Sequence, residues 1–143
     1  MKPCMVVLMA VFIDTGIFVA ARNKSDVNHE RAVDLLEKAL KGEYGAMYTS
    51  DYVFDEAVTV ALMRTERPEI AIDVGNFMLS SKKLQILYVD RTTFTKAWQI
   101  FNKYVEKGLS FTDAISIALM RRYNVDYIIS FDKHFDGIVP RIY

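Results

Sequence analysis

The chain has 143 residues, 52% of them hydrophobic, which suits one compact domain spanning 1-143 that buries roughly two-thirds of its unfolded surface. Lys plus Arg balances Asp plus Glu at 18 each, so there is no global basic field, and an anionic substrate has to be met by a local basic patch or by metal. The single Cys4 excludes an intrachain disulfide, His29 and His134 are too few for a Cys/His zinc site, and the many carboxylates instead suit Mg²⁺ or Mn²⁺.

Val6 to Ile13 is a continuous apolar run that stops at Asp14-Thr15-Gly16. Such a run suits a strand buried on both faces, with Asp14 at its carboxyl end, the edge where open α/β sheets form ligand crevices. Asp14 could also be a helix cap or turn residue. Lys2, the apolar run and Ala20-Ala21 imitate a signal peptide, but Asp14 interrupts the run and Arg22 follows the small pair. The stretch falls short of the ~20 apolar residues of a membrane span. A cytoplasmic protein with no membrane contact is expected. Met1, Met5 and Met9 are alternative starts, since the strand needs only about six residues before Asp14.

Gly16 to Ala21 reads as a short helix and Arg22 to Ser25 as a polar loop. Val27 to Lys41 carries Ala32, Leu35, Leu36, Ala39 and Leu40 at helical spacing, and Gly42 supplies the stop. Ala46 to Tyr48 is a second strand. Thr49-Ser50 starts a helix over Tyr52 to Arg64, with Glu56 on its apolar stripe. Pro68 opens the next helix, through Met78. Leu84 to Val89 is a third strand, and Asp90 to Thr93 caps a helix bearing Phe94, Trp98, Phe101 and Tyr104 that either fills the core or serves an interface. Ser110 caps a helix over Phe111 to Arg122. Tyr127 to Ile129 is a fourth strand and Val139 to Tyr143 a fifth. Strands alternating with helices predict a three-layer α/β/α sandwich around a central, mainly parallel four- or five-stranded sheet.

Acids recur where these elements meet: Asp14 after the first strand, Asp113 in the first turn after Ser110, Asp132 after the fourth strand, and Glu56 on a helix face. Each has a plainer alternative. Asp113 suits a capping box, Asp132 a turn, and Glu56 a buried partner for an Arg. Together they are harder to dismiss, because two carboxylates about 4 Å apart repel by about 4 kcal/mol at an effective dielectric near 20. A divalent cation relieves that repulsion, and carboxylate sites for hard cations orient phosphate oxygens and activate water for attack on phosphorus. Asp113, at the positive end of a helix, is expected to stay ionised.

Four stretches carry a family resemblance in order along the chain: Phe12-Ile13-Asp14-Thr15; Ser50, Val53 and Glu56; Ser110-Phe111-Thr112-Asp113-Ala114; and Ser130-Phe131-Asp132-Lys133-His134-Phe135. Together they resemble the motifs of PIN-domain ribonucleases, most closely VapC-type toxins of toxin–antitoxin pairs. The resemblance implies Asp14, Glu56, Asp113 and Asp132 as an acidic quartet around Mg²⁺ or Mn²⁺, supported by Thr15 and Asp136. It also implies cleavage of single-stranded or structured RNA, a possible antitoxin partner and a homodimer. Arg22, Lys24, Lys133 and His134 are candidate RNA contacts near the acidic edge. The chain departs from the family at Gly16, where members often carry Ser or Asn. That departure keeps open a catalytically silent PIN-like module that binds RNA or protein. Phosphatases of the haloacid-dehalogenase type also begin on a strand-end Asp, but they need a second acid where this chain has Gly16.

Overall fold

The computed structural model describes residues 9–143. The first part of the expected strand, Val6 to Leu8, lies outside the described residues. Its remainder is β1 (Ala10–Ile13), in which Val11, Phe12 and Ile13 are fully buried. A strand covered on both faces has no reason to alternate polar and apolar residues, so its sequence reads as a solid apolar run. Burial of each such side chain contributes about 1.5–3 kcal/mol.

Two helices, α1 (Thr15–Arg22) and α2 (His29–Leu40), lead to β2 (Ala46–Ser50). Next come α3 (Asp51–Thr65), α4 (Pro68–Ser80) and β3 (Leu84–Leu87). Then α5 (Arg91–Tyr104) and α6 (Phe111–Tyr123) precede β4 (Tyr127–Ile129) and β5 (Arg141–Ile142). The sheet order is β3-β2-β1-β4-β5, and all pairs are parallel. This is the expected three-layer α/β/α sandwich, with the upper expected number of strands. β1 is the central strand, and the chain leaves it toward β2 and returns on its other flank as β4. The order therefore reverses between β1 and β4, and a crevice opens beyond their carboxyl ends.

Local chemistry sets the boundaries. Ser50 accepts the Val53 N–H at 3.0 Å and Asp90 accepts that of Thr93 at 2.8 Å, so α3 and α5 begin where a side-chain oxygen can replace a missing helical acceptor. Pro68 occupies the first turn of α4, where no N–H is needed. The second helix starts at His29, two residues later than Val27, because the Asp26 carboxylate accepts the Asn28 N–H at 2.8 Å and its carbonyl accepts that of His29 at 3.0 Å. That turn leaves Val27 in solvent. The aromatic helix, expected to run through Val105 to a stop at Gly108, ends at Tyr104 and gives way to a 3-10 turn over Val105–Lys107, and a second such turn, Lys133–Phe135, follows β4. The last strand is shorter than expected because Val139 donates its N–H to Phe135 instead, and Pro140 has none to give. The third strand also stops short of Val89.

The aromatic helix divides its residues. Ala97 and Ile100 face the core, whereas Phe94 and Trp98 are 47% and 55% exposed. Trp98 stacks on Phe101 at 5.6 Å, and both pack around Phe111 at the start of α6. Among the described residues no helix is long and apolar enough to cross a membrane.

Candidate active site

Asp14 is the first residue beyond β1, and its N–H donates to the Ile129 carbonyl of β4 at 3.1 Å, tying it to the seam where the strand order reverses. It stands at the N-cap of α1, yet its side chain makes no cap hydrogen bond. Instead Oδ2 accepts the Ser130 hydroxyl at 2.7 Å, while Oδ1 is buried with no hydrogen-bond partner. The hydroxyl of Thr15, equally buried, also lacks one. Ser130 is held in turn by the Asp132 N–H at 3.0 Å, and its carbonyl accepts from Arg141 at 3.1 Å. The two strand ends are thus joined through one serine.

Asp113 reaches the same place from another element. At the third position of α6 it forms a capping box with Ser110: its N–H donates to Ser110 Oγ at 3.0 Å, and Oδ2 accepts the Ser110 N–H at 2.9 Å. The capping bonds leave Asp113 lining the same cleft as Asp14. Asp132 likewise caps the 3-10 turn, with Oδ1 accepting the His134 N–H at 2.8 Å.

Among the described residues, Asp113, Asp132 and His134 each place one possible ligand atom within 4.8 Å of the others, and Asp14 and Glu56 lie outside that group. Burial pushes Asp14 up to about 7, against the pull of the Ser130 hydrogen bond, and the charges of Asp113 and Glu56 push it further. Burial likewise raises Asp113 to about 6, with Asp132 and Glu56 adding repulsion. The helix N-terminus does not hold Asp113 in the ordinary carboxylate range, because desolvation outweighs it. A buried oxygen without a partner costs about 1–3 kcal/mol. Asp14 Oδ1 and Thr15 Oγ1 are two of them in a cleft lined by further carboxylates. The donor set is hard oxygen, and a divalent cation would both satisfy the orphaned oxygens and hold the acids ionised.

A family model for the PIN domain matches residues 11–139. The chain belongs to the PIN-domain family. It is 34% identical over 128 residues to the VapC ribonuclease of Archaeoglobus fulgidus, covering 89% of this chain and 80% of that protein. It is 26% identical over 127 residues to VapC20 of Mycobacterium tuberculosis, a 23S rRNA-specific endonuclease, covering 89% and 92%. The crystal structure of that VapC20, described as a Sarcin-Ricin loop cleaving toxin, superposes with a TM-score of 0.78 over 89% of this chain and 93% of the other. VapBC2 from Rickettsia felis shares the fold at 17% identity, with a TM-score of 0.65 over 94% and 98% of the two chains.

In this PIN domain, the cleft above the switch point is open and about 450 Å³ in volume. Asp14, Thr15, Glu56, Asp113, Asp132 and His134 all line it. Four other expected residues do not. Arg22 is held by Asp73 through two bonds of 2.7 and 2.9 Å and lies over Phe77, so its charge ties α1 to α4. Asp136 is gripped by Arg141 at 2.8 and 3.0 Å, and the guanidinium's hydrogen bonds lower its carboxyl from the ordinary value. Lys24 and Lys133 are exposed outside the cleft.

Conversely, several cleft residues had no assigned site role in the sequence. Val60 and Arg64 line the cleft with Glu56 from successive turns of α3, and Arg64 has no ion pair among the described residues. Its spacing of eight from Glu56 was the available signal. Asp26 and Asn28 enter from the turn before α2, which only the late helix start discloses. Gly16 also lines the cleft; a Cβ there would meet nothing closer than Phe131 at 4.0 Å, so its lack of a side chain is no steric requirement.

Proposed function

We propose that this PIN domain is a Mg²⁺- or Mn²⁺-dependent endoribonuclease that hydrolyses phosphodiester bonds of RNA, and the toxin of a toxin–antitoxin pair. The carrying observation is one cleft lined by Asp14, Glu56, Asp113 and Asp132 from different elements, in which Asp14 Oδ1 and Thr15 Oγ1 are buried and unpartnered. Asp14, Asp113 and Asp132 are the residues that would hold the ion, with Glu56 beside them directly or through water. Such an ion supplies Lewis-acid polarisation of a phosphoryl oxygen and a nucleophile at neutral pH.

The chain's own residues do the rest. Ser130 fixes the Asp14 carboxylate and links it to the Asp132 backbone. Ser110 fixes Asp113 through the capping box. Thr15, which lines the cleft, would offer its buried, unpartnered hydroxyl. Glu56, which lines the cleft with Asp14 and Asp113, would accept a proton from the attacking water. Arg64, which lines the cleft two turns farther along α3, would hold a flanking phosphate.

The relatives named VapC support ribonuclease activity, and the Rickettsia VapBC2 complex supports a protein antitoxin as partner. The exposed Phe94 and Trp98 support a homodimer. A cytoplasmic location accords with these assignments. The test is cleavage of a labelled single-stranded RNA: EDTA abolishes it and added Mg²⁺ or Mn²⁺ restores it. Undiminished cleavage in EDTA overturns the metal-dependent reading.

A further inference from the structure

His134 differs from the acids it accompanies in offering nitrogen. It sits in the 3-10 turn after β4, with Nδ1 2.9 Å from Asp132 Oδ1. Among the described residues, Asp113, Asp132 and His134 each present one ligand atom, all within 4.8 Å of one another. The 2.9 Å contact is of hydrogen-bond length and holds the imidazole beside the carboxylate, close enough for both to serve one divalent ion.

Two other observations bear on this cleft. Asp14 and Thr15, whose Oδ1 and Oγ1 are buried and unpartnered, line it together with His134, though Asp14 stands outside the three-residue group. Gly108, from the loop before α6, makes room for the ring: a Cβ there would lie 3.2 Å from His134 Nε2 and 3.4 Å from Cε1. The ring therefore stands at the rim of the cleft, packed beside Gly108 with about half of its side chain exposed, whereas His29 has its Nδ1 2.8 Å from the Ala20 carbonyl.

We propose that His134 is a nitrogen ligand of the divalent-cation centre, joining Asp113 and Asp132, and that it biases the centre away from Mg²⁺ toward first-row transition ions. The inference rests on the metal-dependent reading above and adds to it the donor that sets ion preference. Mg²⁺ favours oxygen donors and retains its waters, whereas imidazole suits transition ions.

The test is pulsed electron paramagnetic resonance on the full chain loaded with Mn²⁺ alone, without RNA. Wild type shows a ¹⁴N modulation from a directly bound imidazole, which changes to the ¹⁵N pattern when histidine is ¹⁵N-labelled. In His134→Gln, checked for fold by circular dichroism, the modulation disappears. Mn²⁺ affinity then falls about tenfold or more, while Mg²⁺ affinity measured by competition changes less than about threefold. Asp113→Asn locates the ion by weakening both. Mn²⁺ bound in an Asp113-dependent way but with no nitrogen modulation, or with modulation that survives His134→Gln, overturns the proposal and leaves the metal-dependent nuclease reading standing. A wild-type chain that binds neither ion overturns both. Loss of RNA affinity in His134→Gln with Mn²⁺ binding unchanged also overturns it, and makes His134 a substrate contact.

Discussion

Replacing Asp14 with Asn should make the metal-free protein more stable at neutral and alkaline pH. The carboxyl rises from its ordinary 3.8 to about 7 chiefly because burial penalises the anion. At 1.36 kcal/mol per pH unit, that rise corresponds to about 4 kcal/mol of strain carried by the folded state once the group is ionised. A folded-state pKa above the unfolded one means that the folded chain binds the extra proton between about pH 4 and 7. Stability therefore declines as pH climbs through that window, and the full penalty is present above it. Asn keeps an oxygen for the Ser130 hydroxyl and removes the charge. Urea denaturation in EDTA should show Asp14→Asn exceeding wild type by about 2–4 kcal/mol at pH 8, nearly equal to it at pH 4, with a flatter slope between. Added Mn²⁺ should raise the wild-type midpoint and leave the variant's unchanged. Equal stabilities at pH 8, or an unaltered slope, would refute the claim that buried charge is concentrated at Asp14.

The two arginines separate by role. Arg64→Ala should weaken RNA binding and lower its salt slope by about one with little effect on stability, whereas Arg22→Ala should cost about 0.5–1 kcal/mol and leave binding unchanged; the reverse result would contradict the placement of Arg64 in the cleft. Gly16→Ser should fold normally and keep cleavage within a few-fold, because a Cβ there meets only Phe131 at 4.0 Å; a large loss would show that the cleft needs glycine. Trp98→Ala should convert a dimer into a monomer by light scattering, and a wild-type monomer would remove Phe94 and Trp98 as an interface.

The sequence disclosed what local chemistry controls. The apolar run before Asp14 is legible because both faces of β1 are covered, and the Ser110–Asp113 spacing is legible because a capping box is built within one turn. Asp14 and Asp132 could be brought together on paper because parallel strands deliver their carboxyl ends to one edge, whereas Glu56 and Asp113, on helices, were joined to them by the family resemblance. What depended on distant pairing was hidden. Nothing near Arg22 announces that Asp73, on a helix far along the chain, would occupy it, and nothing near Asp136 assigns it to Arg141. Ser130 sat inside a recognised motif, but its bond to Asp14 exists only once β1 and β4 are neighbours. The start of α2 was misplaced for a local reason: the Asp26 side chain offers Asn28 a turn that competes with helix.

The most direct test of the centre compares RNA cleavage by wild type and Asp113→Asn, purified identically and assayed at one saturating Mn²⁺ concentration, with circular dichroism on both. Asn can keep the Ser110 cap while removing the charge, so the account predicts a folded variant with cleavage reduced at least about 10³-fold, as for loss of a central electrostatic group. A folded variant that cuts as fast as wild type would contradict the account and assign the activity elsewhere.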